Sequence, residues 1–600
     1  MGWFDKSKKS GSADPFDSGF EPPPYNGSEG GDVAVGENEN ADGLHRRLKN
    51  RQIQLLAIGG SIGTALFVSI GTGLQHAGPA NLLIAFIIQS CMLALVNNCI
   101  AEMTVTYPVS GGFVRLAGKW VDDAFARPRT PSNISGKGFM AGWNFFFYEA
   151  FLIPFEITAL HTVLTFWRDD IPVWAVCIAC VILYAAINIL AVKAFGEAEF
   201  WLSGGKVILI FMLFAFTFIT MVGGNPQNDV YGFRNWEDPP GAFRAYLDDG
   251  ALGRFEGFLA ALYGTAAFTV VGPEYISMVA AEAMRPRKYI KTAFKTVYWR
   301  FGIFFIGGAL AVGIILPWND PTLDNVVNGS SDASGTAAAS PYVIAMRNLN
   351  VQVFPHIVNA LLVTSIFSAG NTYTYCATRT LYGLALEGRA PKPLRFCTRN
   401  GVPLFCFVIT MIFPFLSFLQ VGNDAAQVLT WLVNLVTAGG LIDYIIMCVT
   451  YIFFYRACKV QGVDRNEFKY TGYFQPYGAW IALIWLLHVV LCFGYTSFYP
   501  WNINSFFSTY VMVGVAPILF IFWKVIKRTK FVKPHEADLV WDRPVIDAYE
   551  ETFYGPPSSF WKEMLNVFTF GLLGKQPEAD QRSASIDAGA SSPSRTDPEK

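Results

Sequence analysis

The stretch Gly59-Gly60-Ser61-Ile62-Gly63-Thr64 puts three glycines and two hydroxyls into six residues of an otherwise apolar run. Such a segment is poor helix, and it is suited to offering backbone N–H groups and the Ser61 and Thr64 hydroxyls to a carboxylate. A second break stands at Val271-Gly272-Pro273-Glu274. Pro273 lacks an N–H and clashes with the preceding turn, so a helix should open there. Irregular backbone at membrane depth is tolerated only where it lines a cavity, so the two breaks predict a shared midplane binding site. The competing account is that Gly and Pro are common in membrane helices and that glycines aid helix packing.

Ionisable residues inside apolar runs are costly and mark function by default. Lys206, in Ser203-Gly204-Gly205-Lys206, is either a cation tethered between two halves of the fold that gains and loses a proton, or a lysine snorkelling to an interface. Glu156, after Pro154, and Glu274, at the second break, are placed to hold an ammonium group or a coupling proton, or else to serve as paired structural carboxylates. Asp443 is a weaker candidate, and His161 and His488 read as satisfied core residues. Phe268, one turn before the second break, is placed to cover a bound ligand as a gate, or to pack on core or lipid.

These residues need a scaffold of membrane helices. The chain has 600 residues, is 52% hydrophobic and only 15% charged, and carries 52 Phe, 25 Tyr and 16 Trp. A water-facing surface could not carry that load, and the apolar runs reach roughly the 18 to 25 residues a bilayer core requires. Hydropathy predicts twelve spans, near 53–74, 82–104, 140–166, 172–192, 203–223, 256–281, 300–317, 353–383, 404–420, 427–455, 478–496 and 506–526. Alternate connections hold about twenty Lys and Arg against about five in the others, which places both termini in the cytosol. The breaks then fall in the first spans of two five-helix halves, the placement expected of an inverted repeat.

Several classes are excluded on the same grounds. A net charge of −1 without a dense basic tract rules out nucleic-acid binding as the main activity. The six histidines show no ligand spacing and no nucleophile–base pair stands at depth, so neither a metal site nor a catalytic site is expected. The sequon at Asn328 falls in an outside connection open to glycosylation, whereas that at Asn133 falls inside. Residues 1–48 are too polar to fold and contain no signal peptide, and the chain after about 575 is of the same kind. Within the first tail, Pro22-Pro23-Pro24-Tyr25 fits the ligand of a WW-domain ubiquitin ligase, with Lys6, Lys8, Lys9 and Lys49 as acceptors.

A run of motifs in one order resembles the fungal amino-acid permeases of the yeast amino-acid transporter family, in the amino acid-polyamine-organocation superfamily. It comprises Leu48 to Gln54 leading into Ala57 to Thr64, Glu102-Met103, Tyr107-Pro108-Val109-Ser110-Gly111, Gly142-Trp143-Asn144 and Pro154-Phe155-Glu156. It continues through Gly196 to Trp201 with Lys206, Ala280-Ala281-Glu282, Pro286-Arg287-Lys288, Ser368-Ala369-Gly370-Asn371, Ala377 to Tyr382 and Lys527 to Val532. The resemblance covers about residues 46 to 545. It implies an all-α, twelve-helix fold with a five-plus-five inverted repeat and two extra C-terminal helices, a cytosolic N-terminal tail at 1–48, a transporter domain at 49–530 and a cytosolic tail at 531–600.

The function implied is import of amino acids by proton symport with alternating access, driven by the proton gradient without a cofactor. The location implied is the plasma membrane, with an endosomal or vacuolar pool. By position, Ser61, Ile62, Gly63 and Thr64 resemble the carboxylate site, Phe268, Gly272 and Glu274 the amino-group and gating segment, and Glu156, Ser368, Asn371 and Thr437 the side-chain pocket. Proton coupling falls to Lys206, Glu156 and Glu274. Gly272-Pro273-Glu274-Tyr275 and Asp443 depart from the family pattern, so a carnitine or polyamine cargo stays open, as does a non-transporting amino-acid receptor.

Overall fold

The computed structural model describes residues 46 and 48–568, apart from 61, 122–138, 169, 191, 329–339, 399–400, 422–424, 499–500, 529–530, 552 and 554–558. Ser61, the Pro22–Tyr25 motif, the lysines at 6, 8 and 9, the Asn133 sequon and the chain after 575 lie outside the described residues. What is described is helical, with two isolated bridges, Leu48 to Ala283 and Phe498 to Trp501, in place of any sheet.

Among the described residues nine helical stretches are long and apolar enough to cross a bilayer. The 42-residue stretch Ala65–Thr106 is two spans, because Gly78 at φ +78° precedes Pro79 and turns the chain between them. Val173–Leu190 and the more polar Phe354–Leu386 complete the twelve. The remaining spans are Phe139–Leu164 (third), Val192–Met221 (fifth), Gly250–Met278 (sixth), Pro286–Ile315 (seventh), Leu404–Val421 (ninth), Ala425–Val460 (tenth), Tyr477–Cys492 (eleventh) and Ile503–Lys527 (twelfth). Two helix starts differ from the hydropathy reading by more than ten residues. The fifth helix, at Val192, begins eleven residues before its apolar run. The seventh helix starts at Pro286, fourteen residues before the apolar run, because its first turns carry the basic cluster that hydropathy reads as loop. The ninth span is a short helix, Leu404–Thr410, followed by a tighter 3-10 stretch, Phe413–Val421.

The third span is the hub, packed against the eighth and the tenth. Its Glu149, Glu156 and Asn144 are fully or almost fully buried, whereas the twelfth span turns Ile518, Ile521 and Val525 outward, as a lipid-facing helix must.

One face of the bundle, here the tail face, gathers both described chain ends. Leu48 donates its amide to the Glu282 carbonyl at 2.9 Å and accepts from Met284 N at 3.0 Å, stitching the approach to the first span onto the connection after the sixth. Arg46 and Leu48, which fall in the stretch read as tail, are both buried. Residues 531–551 form a strap across the same face. Val532 bonds to Val121, Trp120 Nε1 donates to Asp538 O at 3.1 Å, Tyr107 Oη donates to Leu539 O at 2.6 Å, and Tyr549 Oη reaches Met284 O at 2.9 Å. Helix Phe560–Phe568 closes against the first span, where Arg51 N donates to Glu563 at 2.9 Å.

Candidate transport site

The first break releases the last carbonyls of helix Asn50–Gly59, and donors from three other spans take them up. Ala57 O accepts from Arg300 of the seventh span, Gly59 O accepts from Lys206 Nζ at 2.5 Å, and Gly60 O accepts from Tyr373 Oη at 3.3 Å. Cations belong at the C-terminal end of a helix, where unpaired carbonyls gather. On the far side of the break Thr64 Oγ1 donates to Glu156 Oε2. The Ile62 amide bonds to Ile58 O at 2.9 Å, so it is not free for a ligand here.

Lys206 is fully buried, which removes the snorkelling account. It lies within electrostatic reach of Glu156 and of Glu199, two turns away on the same helix face at seven residues' spacing. Glu199 in turn accepts from Ser203 at 2.7 Å, from Ser368 at 2.6 Å and from Asn371 at 3.4 Å, and Asn188 holds Asn371 at 2.8 Å. Ser368 and Asn371 are therefore gathered behind Lys206, as supports of its counter-ion.

The second break runs through Val270 to Gly272, and Gly272 at φ +139° takes a backbone conformation that side-chain-bearing residues avoid. Pro273 then starts the short helix Pro273–Met278, where a missing N–H does no harm. Glu274 accepts from Gly272 N at 3.1 Å and from Tyr444 Oη at 3.0 Å to both oxygens, with Arg300 as its cation. The breaks meet directly. A Cβ on Gly60 would sit 2.7 Å from the Tyr275 ring, so only glycine lets the two segments approach.

A cavity of about 340 Å³ opens between the breaks and the face opposite the tails, lined by Val68, Thr72, Tyr263, Thr265, Thr162 and Thr437 among others. Phe268, packed edge-on to Phe155 at 5.3 Å and nearly buried, lies one turn below Thr265. The Thr437 hydroxyl itself bonds back to Val433 O at 2.6 Å. His161 and His488 are satisfied by Ile171 O and Tyr263 Oη, each at 2.9 Å.

The structure thus joins Gly63, Thr64, Glu156 and Lys206 at one break and Gly272 and Glu274 at the other. Sequence reasoning missed Glu199, Arg300, Tyr444 and Glu149; Glu199 and Lys206 at seven residues' spacing were the one local signal available. Two opened helices meeting at a buried charged centre, beneath a cavity that reaches one membrane face, are the architecture of a membrane transporter.

The chain belongs to the amino acid permease family, whose model matches residues 52–536. It is 43% identical to the general amino acid permease AGP2 of Saccharomyces cerevisiae, over 87% of this chain and 89% of that protein. The dicarboxylic amino acid permease of the same yeast is 34% identical, over 86% and 83%. A proline-specific permease of Emericella nidulans is 35% identical, over 85% and 91%. These relatives are transporters, and the chain is not an enzyme.

Proposed function

We propose that this protein imports amino acids across the plasma membrane by proton symport with alternating access. The observation that carries the reading is the first break itself: its freed carbonyls are held by Lys206 and Arg300, while its Thr64 binds Glu156. A proton arriving at Glu156 or leaving Lys206 would rebalance charges that fix the broken helix, so substrate and proton act on one element. The amino acid's carboxylate would lie at Gly63 and Thr64, its ammonium group toward Phe268 to Glu274, and its side chain toward Thr437.

The basic residues on the tail-side connections support a cytosolic tail face. The cavity then opens outward, and Leu48, Glu282 and the C-terminal strap close the inside. On this reading Asn328, exposed at the end of helix Pro321–Asn328, faces outward and accepts glycan. The Pro22–Tyr25 motif recruits a WW-domain ubiquitin ligase that moves the protein to an endosomal pool.

The test is uptake of a labelled amino-acid mixture by permease-deficient cells at acidic and neutral external pH. Acid-stimulated uptake is expected; none, with the protein verified at the surface, overturns the proposal.

A further inference from the structure

Glu149, on the third span, lies seven residues before Glu156, so it sits on the same face about 10 Å nearer the tail face. Asp443, on the tenth span, lies six residues beyond Thr437 in the same direction. The two helices pack against each other, and the two carboxyls are electrostatic neighbours. Glu149 is 0% and Asp443 2% exposed; neither oxygen of Glu149 has a hydrogen-bond partner, and the Asn144 amide is the side-chain donor that Asp443 faces. Asn144 gives one N–H of its amide to Gly439 O at 2.9 Å and can offer the other to Asp443, and its own Oδ1 is a further buried acceptor without a donor.

The charge balance does not close at this level of the bundle. Of three carboxyls, Glu274 holds Arg300, Tyr444 and the Gly272 amide. Glu149 faces Glu274, Asp443, Cys376 and the tyrosines at 148, 275 and 373. Asp443 faces Glu274, Asn144 and Tyr444. Among the described residues neither has a Lys or Arg beside it. A buried acidic group must be paired or neutralised, and two side by side make the need greater.

We infer that Glu149 and Asp443 form a second proton-binding site, on the tail side of the centre at Glu156 and Lys206. A proton suits the place better than a metal ion or an amine. It needs one carboxyl oxygen and no shell of ligands, and Tyr148 packs directly onto the tenth span at Gly439 and Gly440. The inference rests on the symport reading for its role, which is to carry a proton in addition to the one that moves through Glu156 and Lys206. It does not rest on that reading for the binding itself.

Infrared difference spectroscopy of the full chain in lipid nanodiscs at neutral pH tests the binding. A neutral-carboxyl band is expected in the native chain, reduced by about one carboxyl when Glu149→Gln and Asp443→Asn are combined. No such band in the native chain, or a band that the combined substitutions leave unchanged, overturns the inference, and the first of these results needs no variant to fold. Proteoliposomes carrying a pH dye and a labelled amino-acid mixture test the role. The double variant should import with its proton-to-amino-acid ratio roughly halved. An unchanged ratio, or a selective loss of cationic amino acids, overturns it. Amino-acid uptake without protons in the native chain defeats the symport reading, while the infrared band still decides the site.

Discussion

The Lys206 ammonium donates to the Gly59 carbonyl at 2.5 Å, tying the fifth span to the last turn of helix before the first break. Lys206→Met removes both the donor and the cation that stands between Glu199 and Glu156. A buried hydrogen bond to a charged group is worth about 1.5–3 kcal/mol, so initial uptake should fall roughly ten- to a hundredfold with the protein still at the surface. Radiolabelled uptake, normalised to surface protein, checks this; near-native rates would show that the contact does not govern transport.

Thr64 and Glu156 form the matching contact on the other side of the break. Because the hydroxyl and not the methyl makes it, Thr64→Ser should keep most uptake and Thr64→Ala should lose most of it. Equal losses would mean that packing, not the hydroxyl, matters at this position.

Tyr444 supplies a hydroxyl to both oxygens of Glu274. Tyr444→Phe leaves a buried carboxylate short of a donor at nearly constant volume, a loss of about 1–3 kcal/mol. The melting temperature of the purified protein should drop by several degrees, which fluorescence-detected size exclusion after heating would read. An unchanged value would show that Arg300 and the Gly272 amide suffice.

The strap offers a pH prediction outside the membrane. Burial pushes the Asp538 carboxyl up, but Lys119 at 2.6 Å and the amides of Val540 and Trp541 hold it below the usual carboxylate range. A folded-state value below the unfolded one gives stability that is complete above the unfolded value and lost as pH falls through the lower folded value. Docking of the strap should therefore be the same in mildly acidic and neutral buffer and weaken only in strong acid. Disulfide trapping between Val121→Cys and Val532→Cys, whose backbones bond at 2.9 Å, measures it. A change near neutrality would contradict the role given to Asp538.

The scaffold was legible because lipid imposes a one-dimensional rule: a crossing helix must be long and apolar, and Gly59 to Thr64 and Gly272-Pro273 break that rule visibly. The partners of the breaks were not. Arg300 reads as the end of a basic loop until helix Pro286–Ile315 carries it into the core, and no spacing in the chain shows that Ser368 and Asn371 both bond Glu199. Such contacts join spans far apart in the chain and leave no periodic trace. The strap was equally hidden, because its bonds go mostly to backbone groups that any sequence possesses.

Helix Phe560–Phe568 and the strap also set an order in time. Arg51 and Glu563 are 512 positions apart, yet one bonds the other. At about 5–20 residues per second, roughly half a minute to two minutes separates their synthesis. For that interval the surface around Arg51 waits bare, and that around Trp120 waits until Asp538 has been made. A ribosome that stops early thus leaves its product marked by an open seam, available to the chaperones and proteases that sort new membrane proteins.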